Sequence, residues 1–496
     1  MKNLKLILIT TVLFGLIGVG CDLLDSPSPE QSLPTEDVIN DPDGLDNLVT
    51  GMYDGLQNGN IAGGNFNVLP EIMADNVNWS GSFANYARQA SKSMLPSDGQ
   101  IGSWWNVSYR EINTANVLLQ YADEVDDPEF TDARRAEVQG EAHFVRGMLY
   151  FELARVFAKP WGYTGDNSHQ AVPIRTEGVE STEDFENLPR SPLSEVFDQA
   201  EQDLLTALDL LPAEGLRADR RATQYTVLGY LKRIELERGD YEAAADYAEQ
   251  IINSGEFSLT DEPGGPFNNE FSSESIFEII HTPQDNPGVN LGQNAFYTDT
   301  DRDGRGDIQY SSDFTDALEE TVTDDQQTAI DAAGYDVVDL RGELLDRDED
   351  NRSTLKFTDG ANNADNVMNM RYASVLLSHA EALVETSASI ADVPVEAYDH
   401  LNEVRTRSIR VTDDLGNEYP EMVEFSPGDF TSTDEMIEAI LLERRVELAF
   451  EGDRFYTLSR KGLEIDGLAP DDDSITFPIP QGEMDANPNI EQNPGY

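Results

Sequence analysis

The chain has 496 residues, 39% hydrophobic and 9% aromatic, enough apolar side chain to bury a sizeable core and too much for a wholly disordered polymer. Asp and Glu number 95 against 33 Lys and Arg, a net charge of −62 that repels nucleic acid and anionic lipid and excludes phosphate-backbone binding as the main function. Only seven of the cations are Lys, and the acids run along the whole chain, a pattern suited to concentrated salt, where the screening length falls to about 3 Å at 1 M.

Residues 1–20 read as an export signal: Lys2 and Lys5 give a basic start, and Leu6 to Val19 are almost all apolar. The run is too short for a membrane span, and no later stretch could cross a bilayer. Glycines precede the only cysteine, Cys21, which has no partner for an internal disulfide. Cys21 is therefore the expected lipidation site, although Gly18 stands where a lipobox usually has Leu. Several acyl chains anchor stably, since each buried methylene contributes about 0.8 kcal/mol. Residues 21–36, rich in Pro, Ser and acids, read as the tether to a body at 37–496.

Helical periodicity dominates the body. The clearest hairpin runs from Tyr225 to Gly255: Leu228, Leu231 and Ile234 form one apolar edge, Gly239-Asp240 break the helix, and Tyr241, Ala244, Ala248 and Ile251 form the next. Small residues at the crossing and a tight turn describe a tetratricopeptide-type pair. Gly44–Leu56 with Trp104–Ala122, Asp132–Phe157 with Leu193–Leu211, and Met368–Val384 with Pro394–Arg407 can pair in the same way. From about 256 to 358 Gly, Pro, Asn and Asp accumulate and apolar runs shorten to pieces such as Ile276–Ile280, which predicts a loop-rich insert with short strands. Thr433–Phe450 predicts a last strong helix before a Pro-rich end. The fold class is thus mostly α, a scaffold of helical hairpins with loop-rich insertions.

Several segments carry a further signal in order: CDLLDSPSPEQSLPTEDV from Cys21, YREINTANVLL (Tyr109–Leu119), GEAHFVRGMLYFELARVFAKPWG (Gly140–Gly162), RYASVLLSHAEAL (Arg371–Leu383), LNEVRTR (Leu401–Arg407), ERRVELAFEGDRFYTLSRKG (Glu443–Gly462) and FPIPQGEMDANPNIEQNPGY (Phe477–Tyr496). Together they resemble the SusD/RagB family of surface-exposed outer-membrane nutrient-binding lipoproteins. The resemblance implies four tetratricopeptide-like helix pairs, loop insertions forming a ligand face, and no catalysis. It also implies a SusC-like TonB-dependent outer-membrane channel as partner, to which glycans or, in some branches, peptides are passed. In the EGDRF segment, Arg444, Arg445 and Arg454 alternate with Glu443, Glu447 and Glu451, which favours structural charge pairing over chemistry.

No positive sign of catalysis accompanies this. The five His show no H-E-x-x-H spacing, and G-x-S-x-G and P-loop motifs are missing. In a chain with 95 acids, carboxylate pairs arise by chance and identify no glycosidase. Sugar recognition needs flat apolar faces with polar edges, so Trp79, Arg88, Trp104, Phe296, Tyr297 and Tyr310 are the ligand-binding candidates; Trp105, four before Tyr109 on one helix, reads as core. Asp299, Asp301, Asp303 and Asp307, with Gly304 at the sixth position, follow the first nine positions of a Ca²⁺ loop, although Tyr310 replaces the closing Glu. Ca²⁺ is thus an optional ligand, and no cofactor is required. A peptide-binding member of the same family and an assembly adaptor without a small ligand remain the alternatives.

The charge yields a first prediction. Melting temperature should be lower in dilute buffer than in molar salt, because 62 uncompensated charges repel over a longer range as screening weakens. Equal thermal stability in both would count against saline adaptation.

Overall fold

The computed structural model describes residues 41–496 except 182–183, 215–219, 269–270 and 348–351; the expected export signal, Cys21 and the tether lie outside the described residues. The N-terminal part carries α1 (Pro42–Leu56), α2 (Asn65–Met73), β1 (Val77–Trp79), α3 (Ala84–Ala90) and α4 (Gly99–Tyr121). Then follow α5 (Asp132–Phe157), α6 (Leu193–Leu210), α7 (Gln224–Arg238) and α8 (Tyr241–Ser254). The insert holds β2 (Ser275–Ile279), α9 (Gln293–Tyr297), β3 (Ile308–Tyr310), α10 (Ser312–Glu319), α11 (Asp324–Ala333) and β4 (Asp336–Asp339). The chain closes with β5 (Val367–Arg371), α12 (Tyr372–Glu385), α13 (Val395–Ser408), β6 (Ile409–Thr412), α14 (Thr433–Glu447), α15 (Asp453–Arg460) and α16 (Gln481–Ala486). No helix of the described residues is long and apolar enough to cross a membrane.

The four helix pairs expected from periodicity are present: α1 packs on α4, α5 on α6, α7 on α8 and α12 on α13, and α8 lies against α12. The α7–α8 turn shows why. Gly239 takes φ +74°, where a Cβ is disfavoured, and the Asp240 side chain then accepts the Ala243 N–H at 3.1 Å to start α8. Ala244, Ala248 and Ile251 are fully buried along that seam.

Several boundaries differ from the sequence expectation: α4 begins at Gly99 rather than Trp104, and α14 ends at Glu447 rather than Phe450. Val367–Arg371 is a strand, so α12 begins only at Tyr372. The insert also contains α10 and α11, read as loop because each is short; α10 buries Phe314, Ala317 and Leu318 on one face, whereas α11 buries only Ile330. Ser311 accepts the Phe314 N–H at 3.1 Å, and Thr323 and Gln326 form a capping box.

Three antiparallel ladders tie the insert to the body: β1 with β3, β2 with β5, and β4 with β6. Beneath them lies a buried ladder of charge. Glu443, Glu447 and Glu451, four residues apart, run down α14 and past its end. Arg371 of β5, 1% exposed, donates to the Glu447 carboxylate at 2.7 Å, to Glu451 at 2.8 and 2.9 Å, and to Glu274 at 3.1 Å. Arg405 of α13 reaches Glu443 at 2.9 Å, and Arg341 of the insert pairs with the same carboxylate. Arg407 pairs with Glu447 and Glu274, and the Lys356 ammonium donates to Glu451 at 2.8 Å and to two main-chain carbonyls at 3.0 Å. Burial alone would raise the Glu447 carboxyl, but Arg407, Arg371 and Arg341 outweigh it and hold the group well below the usual carboxylate range. The charges of this segment are therefore structural, but they do not pair with one another as their alternation suggested: Arg444 pairs with Asp453, and Arg445 and Arg454 with Asp75, while the three acids take cations from other elements.

Removing Arg371 leaves Glu274, Glu447 and Glu451 buried with fewer partners and an uncompensated negative charge among them. Arg371→Met should destabilise the protein by about 3–5 kcal/mol, read from the shift of the denaturant midpoint at fixed salt. A loss under about 1 kcal/mol, the scale of an exposed pair, would show that the ladder does not hold the insert.

Candidate ligand face

The EGDRF turn positions the segment that leads into β1. Gly452 adopts φ +78°, and a Cβ there would lie 2.7 Å from the Asn67 Cα, so only Gly allows this approach to α2. The Glu71 carboxylate accepts the main-chain N–H groups of Phe450 and Gly452 at 3.0 and 2.9 Å and the Asn76 amide at 3.0 Å. Burial pushes its carboxyl up to about 7 despite these donors. Arg454 grips the Asp75 carboxylate at 2.8 and 2.9 Å, and Arg445 donates to Asn76 at 2.9 Å. Thus the two residues before β1 are held by charge-assisted bonds from the end of α14 and the start of α15.

On the other side stands the loop read as a Ca²⁺ site. Its acids do not form an oxygen cage. Asp299 is ion-paired with Arg302 and caps its N–H at 2.9 Å, Asp307 is paired with Arg305 at 2.6 Å, and Asp301 and Asp303 face solvent. Arginines of the same loop engage the two buried carboxylates, so these residues do not fit a cation that needs six or more converging oxygens. What the loop supplies instead is a rigid turn into β3, where Trp79 pairs with Ile308 and the Ser80 N–H donates to the Asp307 carbonyl at 2.7 Å.

β1 and β3 thereby bring the early aromatics and the insert together. Trp79 stacks on Tyr86 with centroids 5.1 Å apart and planes at 15°, and meets Phe296 edge-on at 5.7 Å. Phe83 meets Phe296 edge-on at 6.4 Å, and the Arg305 guanidinium lies 4.2 Å over the Phe83 ring. Trp79 and Phe83 are half-buried, while Asn78, Ser80 and Ser82 are exposed beside them. The result is an aromatic patch with hydrogen-bonding groups at its margin.

Most of the other expected platforms are core residues. Trp104 is 0% exposed, set 4.6 Å from Phe66 and 5.6 Å from Phe477. Tyr297, at 1% exposure, packs on Phe357 and Phe450, turned away from Trp79. Tyr310 is buried with its hydroxyl donating to the Asp346 carbonyl at 3.0 Å. Phe296 is fully buried and forms the floor of the patch, with no face open to a ligand. Trp104 lies on the core face of the long α4, and Phe296, Tyr297 and Tyr310 sit in short elements packed on the body, where burial of a large ring outweighs the loop-like sequence around it. Arg88 is at the edge, but Asp98 engages its Nε at 3.0 Å and one Nη. Trp105 is buried against Phe157 and Tyr109, as its helical spacing indicated.

Sequence reasoning overlooked Arg305 as a part of the patch, and a separate hollow of about 300 Å³ beside α4. That hollow is lined by Trp105, Tyr109, Asn113, Arg175, Phe185 and Glu483 among others. Phe185 is 49% exposed there, with the Arg175 guanidinium 4.4 Å over its ring.

Comparison with known proteins bears on this arrangement. A family model described as "Starch-binding associating with outer membrane" matches residues 22–236, and the model of the SusD family matches 349–473, together more than half of the chain. The chain belongs to the SusD/RagB family. "SusD-like protein P2" of Formosa agariphila is 26% identical over the full length of both chains. Among solved structures, a SusD superfamily protein of Bacteroides thetaiotaomicron is 25% identical with a TM-score of 0.73, covering 91% of this chain and 99% of that one. One from Bacteroides fragilis, 23% identical, has a TM-score of 0.76 over 92% and 100%. The SusD-type scaffold thus comprises the four helix pairs, and the Trp79 patch lies where its insert meets the N-terminal part through β1 and β3.

Proposed function

We propose that the protein is a surface-exposed outer-membrane lipoprotein, anchored through Cys21, that binds oligo- or polysaccharide and passes it to a SusC-like TonB-dependent channel. The carrying observation is the Trp79–Phe83–Arg305 patch. Half-exposed rings suit the C–H face of a pyranose, Arg305 and the neighbouring Asn and Ser groups suit its hydroxyls, and the starch-binding description of the matched model agrees with that chemistry. The role is binding and transfer, with no chemical step.

Two tests separate the parts of this reading. Malto-oligosaccharides and a wider glycan panel would be titrated calorimetrically in molar salt against the parent, Trp79→Ala and Phe83→Ala. By analogy with aromatic pairs, each ring should contribute about 0.5–1.5 kcal/mol, so each variant should bind several-fold more weakly while melting like the parent. If both bind like the parent and Phe185→Ala does not, the hollow beside α4 is the site; binding of peptides in place of glycans would overturn the substrate class. For the anchor, Cys21→Ala should release the protein from the membrane fraction, and a mature N-terminus elsewhere without acyl chains, seen by mass spectrometry, would refute it.

A further inference from the structure

Far from the ligand patch, two helices of the fourth pair place three metal-ligating side chains together. His379 lies on α12, and Glu396 and His400 lie one turn apart on α13, so the last two share a helix face. The Nδ1 atoms of His379 and His400 are 3.0 Å apart, and one ligand atom from each of the three residues lies within 4.8 Å of the others. Among the described residues this is the one group of three or more His, Cys, Asp or Glu side chains close enough to share an ion. Both rings are buried, at 2% and 8% exposure, whereas Glu396 is exposed at the mouth.

We propose that His379, His400 and Glu396 form a binding site for a borderline divalent transition metal, Zn²⁺ being the natural occupant, which staples α12 to α13. In a tetrahedral shell two imidazole nitrogens at about 2.0–2.1 Å from one ion stand about 3.3–3.4 Å apart, so the two Nδ1 atoms, now 3.0 Å apart, need to separate by only a few tenths of an ångström to admit it. Two nitrogen ligands and one carboxylate favour Zn²⁺, Co²⁺ or Ni²⁺ over Ca²⁺ or Mg²⁺, which prefer all-oxygen shells. Asp246 and Glu249 of the neighbouring α8 and Asp399 of α13, all exposed, add negative potential around the pair. The exposed Glu396 leaves the open side of the ion to water, so three protein ligands and a solvent position complete four-coordination.

The competing reading is a plain hydrogen bond in which one Nδ1–H donates to the other ring. Full-length protein stripped with chelator would be titrated with Co²⁺ and Zn²⁺ in molar NaCl containing excess Mg²⁺, which occupies diffuse acidic sites. The parent should bind about one equivalent, show the intense visible bands of four-coordinate Co²⁺, and melt at a higher temperature with Zn²⁺. His379→Gln and His400→Gln should each weaken binding by at least about tenfold, the lower end of what even an outer-shell change costs a metal site, and abolish the melting shift. Should either His variant fail to fold, Glu396→Gln, at an exposed position, must still weaken binding. Absence of the Co²⁺ bands at saturation, or equal affinity in parent and Glu396→Gln, would overturn the site.

Discussion

The seating of the insert on the helical pairs depends on a ladder of carboxylates buried at the foot of α14. Ion pairs withdrawn from water return little net stability, because desolvation offsets most of their attraction. Their value here is positional. Glu443, Glu447 and Glu451 are met by Arg341 and Lys356 from the insert, Arg371 from β5, and Arg405 and Arg407 from α13, so segments remote in sequence converge on one helix. A hydrophobic contact would tolerate sliding; carboxylates four residues apart that each accept directional bonds do not. That is why a long insert built of short elements sits in a defined register on the helical pairs.

The same network alters how the composition should be understood. Of the five lysines among the described residues, Lys92, Lys159, Lys232 and Lys356 are buried and Lys461 is half-buried, leaving none exposed. The arginines of the ladder are buried too. The core therefore takes up a substantial part of the cation complement, and the solvent-facing surface is more acidic than the average over the chain. Buried pairs are screened little by salt whereas the surface acids are screened strongly, so ionic strength acts on the outside and leaves the ladder intact.

What was legible in the sequence, and what was not, divides along similar physical lines. The helix pairs were legible because each must bury an apolar stripe, and Leu228, Leu231 and Ile234 against Ala244, Ala248 and Ile251 record that need directly. The insert was only partly legible. Its aromatics looked available because Gly, Asn and Asp surround them, yet Phe296 and Tyr297 fall on opposite sides of a five-residue helix packed into the body. The acid spacing at 299–307 matched a cation loop, while the interleaved Arg302 and Arg305 carried the decisive information, since a guanidinium in reach of a carboxylate displaces the need for a metal. The His379–His400 pair was invisible for a different reason: the two residues are 21 apart and meet only because α12 and α13 fold back on each other.

The proposed ligand patch shows what such constraints achieve together. Trp79 is reached from one side through Asp75 and Asn76, held by Arg454 and Arg445, and from the other through β3, held by the turn that Asp299 and Arg302 close. Neither side depends on the ligand for its order. A sugar ring stacking on one aromatic gains little, so flexible loops that had to be ordered on binding would consume most of that gain, at about 0.5–1.5 kcal/mol per immobilised side chain. Rings already fixed by Tyr86, Phe296 and the β1–β3 ladder avoid that cost. On the proposed function, these ion pairs act on binding indirectly: by fixing the backbone on both sides of the patch, they let weak contacts with a glycan count nearly in full.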